Sequence, residues 1–245
     1  MKSRLDKVLS AGGFGTRRDV KRLLRARAFT VNGNPCVDPS TAVDPEVDLL
    51  ALDGVSLEIK TAVYLMLNKI AGVVTSTDDP NHRTVMDLLA EPWSRMDLFP
   101  IGRLDGDTEG LLIITNDGPL THRLTSPKTG VDKTYLARLR DGMDADSFDE
   151  CARRFREGVT LGDGYTALPA VLARPDGAPA SEVLLTIQEG KYHQVKRMFK
   201  AVGNEVVYLK RVSMGPLTLD PVLEPGEYRE LSIDEIALLR EGNGE

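Results

Sequence analysis

The amino-acid sequence predicts an α+β fold, in which a small N-terminal helical module precedes a larger domain built on a mixed, largely antiparallel sheet. Two observations lead to this fold class. The N-terminal residues carry short apolar patterns with helical spacing, separated by glycines. From Val63 onward, strand and helix signals follow one another irregularly. A doubly wound parallel sheet would require regular alternation of strands and helices, so an antiparallel arrangement is favoured.

The N-terminal module is expected to contain two helices followed by a strand and a tight turn. The apolar residues of segment 5–9 share one helix face, and Gly12-Gly13 end that helix. Thr16 is a suitable N-cap for a second helix. Segment 29–33 predicts a strand that runs into an Asn-Gly turn. The acidic segment 37–59 completes the module, and a short linker is expected near Lys60-Thr61.

The larger domain is expected to contain strands at 63–67, 72–76, 111–115, 134–139, 183–187 and 205–210. Its expected helices are 84–89, 118–124, 145–157, 194–202 and 233–240. Ser232 with Glu235 three residues later is a capping box for the last of these helices. The predicted domain limits are therefore 1–60 and 63–245.

Composition is that of an ordinary cytoplasmic globular protein. The chain of 245 residues is 41% hydrophobic and has no apolar run near the roughly 20 residues that would span a bilayer, so we expect no membrane partner. Its charged start does not read as a secretory signal. Cys36 and Cys151 are far apart, the three histidines are scattered, and no glycine-rich phosphate loop is present. We therefore expect no metal and no cofactor.

Charge is unevenly distributed along the chain. The formal net charge is −6, yet the residues up to Cys36 carry nine basic side chains and only two acidic ones. On the second predicted helix, Arg18, Lys21, Arg22 and Arg25 recur every three or four residues and so form one solvent-facing stripe. Segregated positive charge of this kind is typical of a nucleic-acid-binding surface, although such a stripe can also be a solvated helix face.

The most informative segment is 102–118, GRLDGDTEGLLIITNDG. It places Asp105, Asp107 and Glu109 on a glycine-punctuated loop that runs directly into a short apolar strand. Carboxylates held on a loop by a buried strand can act as acids, bases or nucleophiles. The spacing alone does not identify the reaction.

This segment resembles the catalytic motif of pseudouridine synthases, in the branch that modifies ribosomal RNA and most closely in the members that act on the small subunit. Other stretches that resemble the same branch occur in the family's order, and they are YLMLNKIAGVVTSTDDPNHRTVMDLL, LTSPKTGVDKTYLARL, EGKYHQVKRMFKAVGNEVVYLKR and LEPGEYRELS. The resemblance covers nearly the whole chain. It implies isomerisation of a uridine in RNA to pseudouridine without a cofactor.

The N-terminal segment resembles the small RNA-binding domain named after a ribosomal small-subunit protein. In that domain a basic two-helix surface grips structured RNA, largely through phosphates. The residues of this chain on the matching stretch are Arg17, Arg18, Lys21 and Arg22.

The family resemblance also implies roles for residues of the larger domain. Asp105 is expected to be the catalytic aspartate, which attacks either the sugar or the uracil ring. Lys196 is expected to pair with it, and Arg197 would replace Lys196 if the alignment shifted by one residue. Tyr135 is expected to stack on the extruded uracil. Arg103 is expected to fill the vacated space or hold a phosphate.

Three other classes of protein remain open from the residues alone. They are a non-catalytic ribosome-assembly factor, a glycosidase with paired carboxylates, and a metal-dependent nuclease that uses Asp105 and Asp107. Among RNA targets, large-subunit ribosomal RNA and transfer RNA are the alternatives to small-subunit ribosomal RNA. We expect a monomer that acts on free ribosomal RNA or on a small-subunit assembly particle.

Overall fold

The computed structural model describes residues 2–57, 59 and 62–241, which form two compact units. The first contains the described residues up to Val63 together with Met86–Phe99 and Thr115–Asp117. The second contains Tyr64–Val85, Pro100–Ile114 and the residues from Gly118 on. The linker predicted near Lys60-Thr61 lies outside the described residues.

The first unit begins with the two predicted helices, α1 (Leu5–Ala11) and α2 (Arg17–Ala26). α1 ends at the expected glycines. Thr16 forms a capping box with Asp19, because its hydroxyl accepts the Asp19 amide at 3.3 Å while the Asp19 carboxylate accepts the Thr16 amide at 3.1 Å. Both helices were therefore predicted correctly.

Short strands complete this unit. β1 (Ser3–Arg4) pairs with β4 (Ala42–Val43). A second sheet is formed by β2 (Phe29–Val31), β3 (Asn34–Pro35), β5 (Leu50–Leu52) and β6 (Val55–Leu57), in the order β3-β2-β5-β6. Asn32 and Gly33, both with positive φ (52° and 78°), form the predicted turn between β2 and β3. Val43, Leu50 and Leu52 of the acidic segment pack into the same core as the two helices.

The second unit is built on a mixed sheet. Its strands are β7 (Tyr64–Lys69), β8 (Phe99–Pro100), β9 (Glu109–Thr115), β10 (Lys133–Leu139), β11 (Val171–Ala173), β12 (Glu182–Ile187), β13 (Val206–Met214), β14 (Leu217–Thr218) and β15 (Tyr228–Glu230). The strand order is β11-β12-β10-β13-β9-β7-β15, with β14 beside β13. β10 is antiparallel to both its neighbours and β15 to β7, whereas β13 and β9 are parallel. The predicted α+β class with an antiparallel-dominated sheet is confirmed.

Helices α3 (Gly118–Thr125), α4 (Ala145–Glu157), α5 (Gln194–Ala201) and α6 (Ile233–Glu241) agree with prediction, and short 3₁₀ turns occur at Val85–Leu88, Trp93–Arg95 and Pro127–Thr129. Asp144 caps α4, and the predicted Ser232–Glu235 capping box forms at α6. Among the described residues, none of the helices is both long enough and apolar enough to cross a membrane.

Two predicted elements were wrong. Segment 72–76 is a loop in which only Val74 makes a bridge, with Thr84. Its backbone groups bond outside a strand ladder: the Val74 amide donates to the Arg83 carbonyl, the Val74 carbonyl accepts the Ser76 and Val85 amides, and the Gly72 amide donates to the Gly106 carbonyl. Segment 84–89 forms the short 3₁₀ turn Val85–Leu88 rather than an α-helix. The apolar run of β9, by contrast, is completely buried as expected: Leu111, Leu112, Ile113 and Ile114 are each 0% exposed.

Candidate active site

Residues 102–108, the loop that precedes β9, are called here the Asp105 loop. A buried lysine donates hydrogen bonds to several of its backbone carbonyl oxygens. Lys69, the last residue of β7, is fully buried. Its ammonium donates to the carbonyl oxygens of Asp105 at 3.1 Å and Thr108 at 2.8 Å. It also donates to Ile70 at 3.0 Å and Gly106 at 3.4 Å. Burial lowers the pKa of Lys69 to about 8, and the nearby acidic side chains oppose this shift.

The loop segment 72–76 provides a second anchor. The Thr75 hydroxyl donates to the Leu104 carbonyl at 2.8 Å and accepts the Leu104 amide at 3.2 Å. The Gly72 amide donates to the Gly106 carbonyl at 2.8 Å. The backbone is therefore fixed on both sides of Asp105, which holds its carboxylate in one place.

Gly110 lets the chain enter β9 directly against β13. Its φ is +97°, and a Cβ there would lie 2.2 Å from the carbonyl oxygen of Arg211. Next to it, Glu109 accepts a hydrogen bond from the Tyr208 hydroxyl at 2.8 Å. Burial, with help from that bond, raises the pKa of Tyr208 to about 12. Glu109 is thus engaged in holding the strand junction together.

The Asp105 carboxylate is half-buried, with 28% of the side chain exposed, and a lysine ammonium and a histidine ring face it. Lys196 Nζ lies 3.6 Å from Asp105 Oδ2, and His193 Nε2 lies 3.6 Å from Asp105 Oδ1. Lys196 is in the first turn of α5, and His193 immediately precedes that helix. The start of one helix therefore supplies both neighbours of the carboxylate.

Lys196 is closer to Asp107 than to Asp105. Its ammonium bonds the Asp107 carboxylate at 2.6 and 2.8 Å, and this bond lowers the pKa of Asp107. The expected pairing of Lys196 with Asp105 is thus the longer of its two ion pairs. The reason is positional, because Asp107 is on the same loop and its side chain, 72% exposed, extends to the ammonium from the solvent side.

Tyr135 lies on β10 and is only 7% exposed. It lines the same pocket as Asp105, together with Ile187 and Leu209 of the neighbouring strands. The pocket therefore has apolar and aromatic walls beside a carboxylate that has a lysine ammonium near it. The pocket is small, about 60 Å³, so it can bring a nucleophile to one edge of a flat ring.

Of the two predicted arginines, only Arg103 lies at this pocket. Arg103 is exposed and lines it next to Asp105. Arg197 instead pairs with Asp163 at 2.5 Å and donates to the Tyr192 carbonyl at 3.2 Å. Arg197 is thus a structural clamp on the loop before α5, and it does not approach the Asp105 carboxylate within ion-pair distance.

His193 and Tyr192 were not predicted as site residues. His193 has a left-handed backbone conformation (φ 48°), and its ring stacks on that of Tyr192 with centroids 3.8 Å apart and an interplanar angle of 18°. A non-glycine residue with positive φ is uncommon and is often found at functional sites. The aromatic Tyr-His pair directly before the basic run of α5 was the available sequence signal.

A buried carboxylate organises the loop that carries these two rings. Glu189 is 4% exposed and accepts hydrogen bonds from the Leu168 amide at 2.9 Å and the Gln194 side chain at 2.6 Å. It also accepts the Tyr165 hydroxyl, which raises the pKa of Tyr165. Gln194 in turn accepts the Lys191 amide at 2.9 Å. The loop is thus prearranged before any substrate binds.

The predicted RNA-contact residues of the first unit are all exposed on α2: Arg17, Arg18, Lys21 and Arg22, named here the α2 basic patch. Arg22 lies 3.7 Å from Asp19, a weak exposed ion pair. The two cysteines are unpaired: Cys36 is half-buried and Cys151 is buried. Within the described part of the chain, no three His, Cys, Asp or Glu side chains converge to hold a metal ion.

The chain matches two family models. The model described as RNA pseudouridylate synthase covers residues 63–201, and the S4 domain model covers residues 3–49. The chain therefore belongs to the RNA pseudouridine synthases and carries an N-terminal S4 domain. It is an enzyme that acts on RNA, and the resemblance found in the sequence is confirmed.

Relatives match over nearly their full length. The "uncharacterized RNA pseudouridine synthase YtzG" of Bacillus subtilis (strain 168) is 46% identical, covering 97% of this chain and 98% of that protein. The ribosomal small subunit pseudouridine synthase A of Escherichia coli (strain K12) is 44% identical, covering 96% and 98%. A crystal structure of a pseudouridylate synthase superimposes with a TM-score of 0.65 at 40% identity, covering 96% and 99%.

Proposed function

We propose that this enzyme converts one uridine of small-subunit ribosomal RNA to pseudouridine, with Asp105 as the nucleophile. The observation that carries the assignment to Asp105 is its position: a rigidly held carboxylate at the edge of a pocket lined by Tyr135, with the Lys196 ammonium and the His193 ring each at 3.6 Å. The small-subunit target rests on relatives of that name at 44% identity.

The reaction is an isomerisation and balances within the substrate. The bond from ribose C1′ to ring N1 breaks, the uracil rotates, and C1′ bonds ring C5. The proton on C5 is lost and N1 gains one. Asp105 assists by attacking either C1′ or the uracil ring, and it is released when the new glycosidic bond has formed.

The neighbouring residues have complementary roles in this mechanism. The Lys196 ammonium, 3.6 Å from the Asp105 carboxylate, attracts it electrostatically and helps to hold it in position. The ring of Tyr135 stacks on the flipped uracil. Arg103 fills the space that the base vacates or holds a phosphate beside it. Extruding the base from its stack costs on the order of a few kcal/mol, which RNA contacts elsewhere must offset.

Those further contacts come from the α2 basic patch of the S4 domain, which binds phosphates and positions the RNA. We take residues 1–60 as the RNA-binding domain and 63–245 as the catalytic domain. The enzyme acts as a monomer in the cytoplasm, on free ribosomal RNA or on an assembly particle.

Mapping pseudouridine by carbodiimide labelling and primer extension tests the proposal. Unmodified small- and large-subunit ribosomal RNA and transfer RNA are treated with wild-type, Asp105→Asn and Asp146→Asn protein. Asp146 is an exposed carboxylate in the first turn of α4 and controls for the chemical change. A stop on small-subunit RNA with wild type and Asp146→Asn, absent with Asp105→Asn, supports both claims.

Other outcomes reject particular parts of the proposal. A stop only on large-subunit or transfer RNA rejects the target. A stop that persists with Asp105→Asn rejects the nucleophile. RNA binding without modification of any RNA or assembly particle favours a non-catalytic assembly factor.

A further inference from the structure

An exposed aromatic ring lies beside the proposed nucleophile and has no part in the mechanism above. Tyr192 is 76% exposed, so its ring is accessible to a partner. One face of the ring is covered by His193, whose own ring reaches Asp105. The ring therefore offers a second flat face close to the reacting carboxylate.

The Tyr192 ring lines a cleft that adjoins the Tyr135 pocket. The two cavities share Arg103, Leu104, Asp105, Gly190, Lys191 and His193, and the cleft is further lined by Val74, Thr75, Gly106 and Tyr192. Its volume is about 380 Å³, within the range of roughly 300–1,000 Å³ found for sites that hold small organic ligands. Asp105 thus lies where the small Tyr135 pocket, about 60 Å³, opens into a larger second chamber of nucleotide size.

The charge of the second chamber suits a phosphodiester. The exposed side chains of Arg103 and Lys191 line it, and the Lys191 ammonium lies 5.2 Å from the centre of the Tyr165 ring. Flat aromatic surface combined with cations is the composition that binds single-stranded nucleic acid, since every base has a π-face and every nucleotide a phosphate.

The Tyr192–His193 pair is held in place before substrate binds. Arg197 bonds the Tyr192 carbonyl and is itself fixed by Asp163. His193 has a left-handed conformation, and its ring stacks on that of Tyr192 with an interplanar angle of 18°. Holding a non-glycine residue in this conformation is unfavourable, and the surrounding bonds must maintain it. A rigid platform binds with less loss of conformational entropy than a mobile one.

We propose that Tyr192 is a stacking platform for the base next to the target uridine, and that Arg103 and Lys191 bind the phosphate between the two nucleotides. The inference rests on the proposed function, because it assumes an RNA strand with one nucleotide flipped into the Tyr135 pocket. It adds that the enzyme unstacks and captures a second base, so the flanking nucleotide contributes to recognition of the site.

The test uses full-length Tyr192→Ala, Tyr192→Leu and Tyr192→Phe proteins on the unmodified ribosomal RNA that wild type modifies. Loss of a stacked aromatic ring should lower kcat/KM for pseudouridine formation by about 5- to 150-fold, mainly through KM. The alanine and leucine variants should both show this loss, while phenylalanine should remain near wild type. Because the ring is exposed, urea unfolding of all three should match wild type.

A second measurement detects the stacked base directly. Short RNAs that span the modified uridine carry 2-aminopurine at the nucleotide before or after it. Wild-type and Tyr192→Phe proteins should change the fluorescence at one of these positions, and Tyr192→Ala should not. An abasic nucleotide at that position should weaken wild type but leave Tyr192→Ala unaffected.

The outcomes separate this inference from the proposed function. If wild type forms no pseudouridine, the proposed function fails. If wild type is active and Tyr192→Ala equals it in kcat/KM, the platform is refuted while the enzyme assignment remains. If leucine replaces tyrosine without loss, the contact is merely apolar and the stacking claim is refuted.

Discussion

Replacing Lys69 by methionine should separate catalysis from stability. Methionine has a similar length but cannot donate, so the Asp105 loop loses the ammonium that binds its carbonyls at 2.8–3.4 Å. Displacement of a catalytic group by about 1 Å can lower a rate about 100-fold. We expect kcat for pseudouridine formation to fall by about that factor, with KM little changed, because the RNA-contacting side chains remain.

The expected loss of stability is small because two effects oppose each other. The three shorter hydrogen bonds of Lys69 are lost, at about 1.5 kcal/mol each for bonds from a charged donor. Against this, burial lowers the pKa of Lys69 from 10.5 to about 8, so keeping the ammonium charged at neutral pH costs about 3 kcal/mol. The net change in the free energy of unfolding should be a loss of about 1–2 kcal/mol.

Lys133 provides a matched control. It is also buried, with a pKa that burial lowers to about 8, but among the described residues its ammonium donates to one carbonyl, that of Val131 at 2.8 Å. Lys133→Met loses one bond and removes the same cost, so it should gain about 1–2 kcal/mol. Urea unfolding and initial rates measure both variants. Wild-type kcat in Lys69→Met would show that the ammonium does not position the loop.

Three further predictions concern stability and RNA binding. Gly110→Ala should lower the free energy of unfolding by at least about 3 kcal/mol, because its Cβ would meet the Arg211 carbonyl at 2.2 Å in a left-handed conformation; thermal unfolding within 2 °C of wild type would contradict this. Between pH 8 and 9 stability should rise by about 2 kcal/mol, since native Lys69 and Lys133 (pKa about 8) have released protons that the unfolded chain, with ordinary pKa 10.5, still binds. Above pH 9 the raised pKa of Cys151, about 11, opposes this gain in stability. For the variant that carries both Lys69→Met and Lys133→Met, urea unfolding should show no rise in the free energy of unfolding from pH 8 to 9. Neutralising the α2 basic patch should reduce the salt dependence of RNA affinity, lowering the slope of log K against log salt by up to about 3, while an unchanged slope would mean that the patch binds no phosphate.

Elements set by local pattern could be predicted from the sequence. The capped helices, the Asn-Gly turn and the buried strand β9 all depend on residues within a few positions of one another. Segment 72–76 misled for the same reason: Val73, Val74 and Thr75 have strand propensity, but the partner of Thr75 is Leu104, far along the chain. Propensity does not reveal where a hydroxyl will find its bond.

The features of the site also divide into those set by adjacent residues and those set by residues far along the chain. The position of Asp105 on a loop before a buried strand follows from adjacent residues. The function of Lys69 does not, since it depends on carbonyls 36 to 39 residues away. The left-handed conformation of His193 lies in a loop that Arg197 ties to Asp163, 34 residues earlier in the chain. Long-range hydrogen bonds and backbone strain leave no periodic signal in a sequence.

An acidic chain can bind RNA because charge acts locally. The net charge is −6, yet the Asp105 and Asp107 carboxylates share their surroundings with the cations of Lys69, Lys196 and Arg103. At physiological ionic strength, exposed charges beyond about 8 Å are largely screened, so a phosphate at this cleft senses these groups rather than the distant acidic surface. The negatively charged surface outside the cleft repels RNA that is bound elsewhere on the molecule. Local cations within an otherwise negative surface therefore favour binding in which the flipped nucleotide lies at Asp105, the proposed nucleophile.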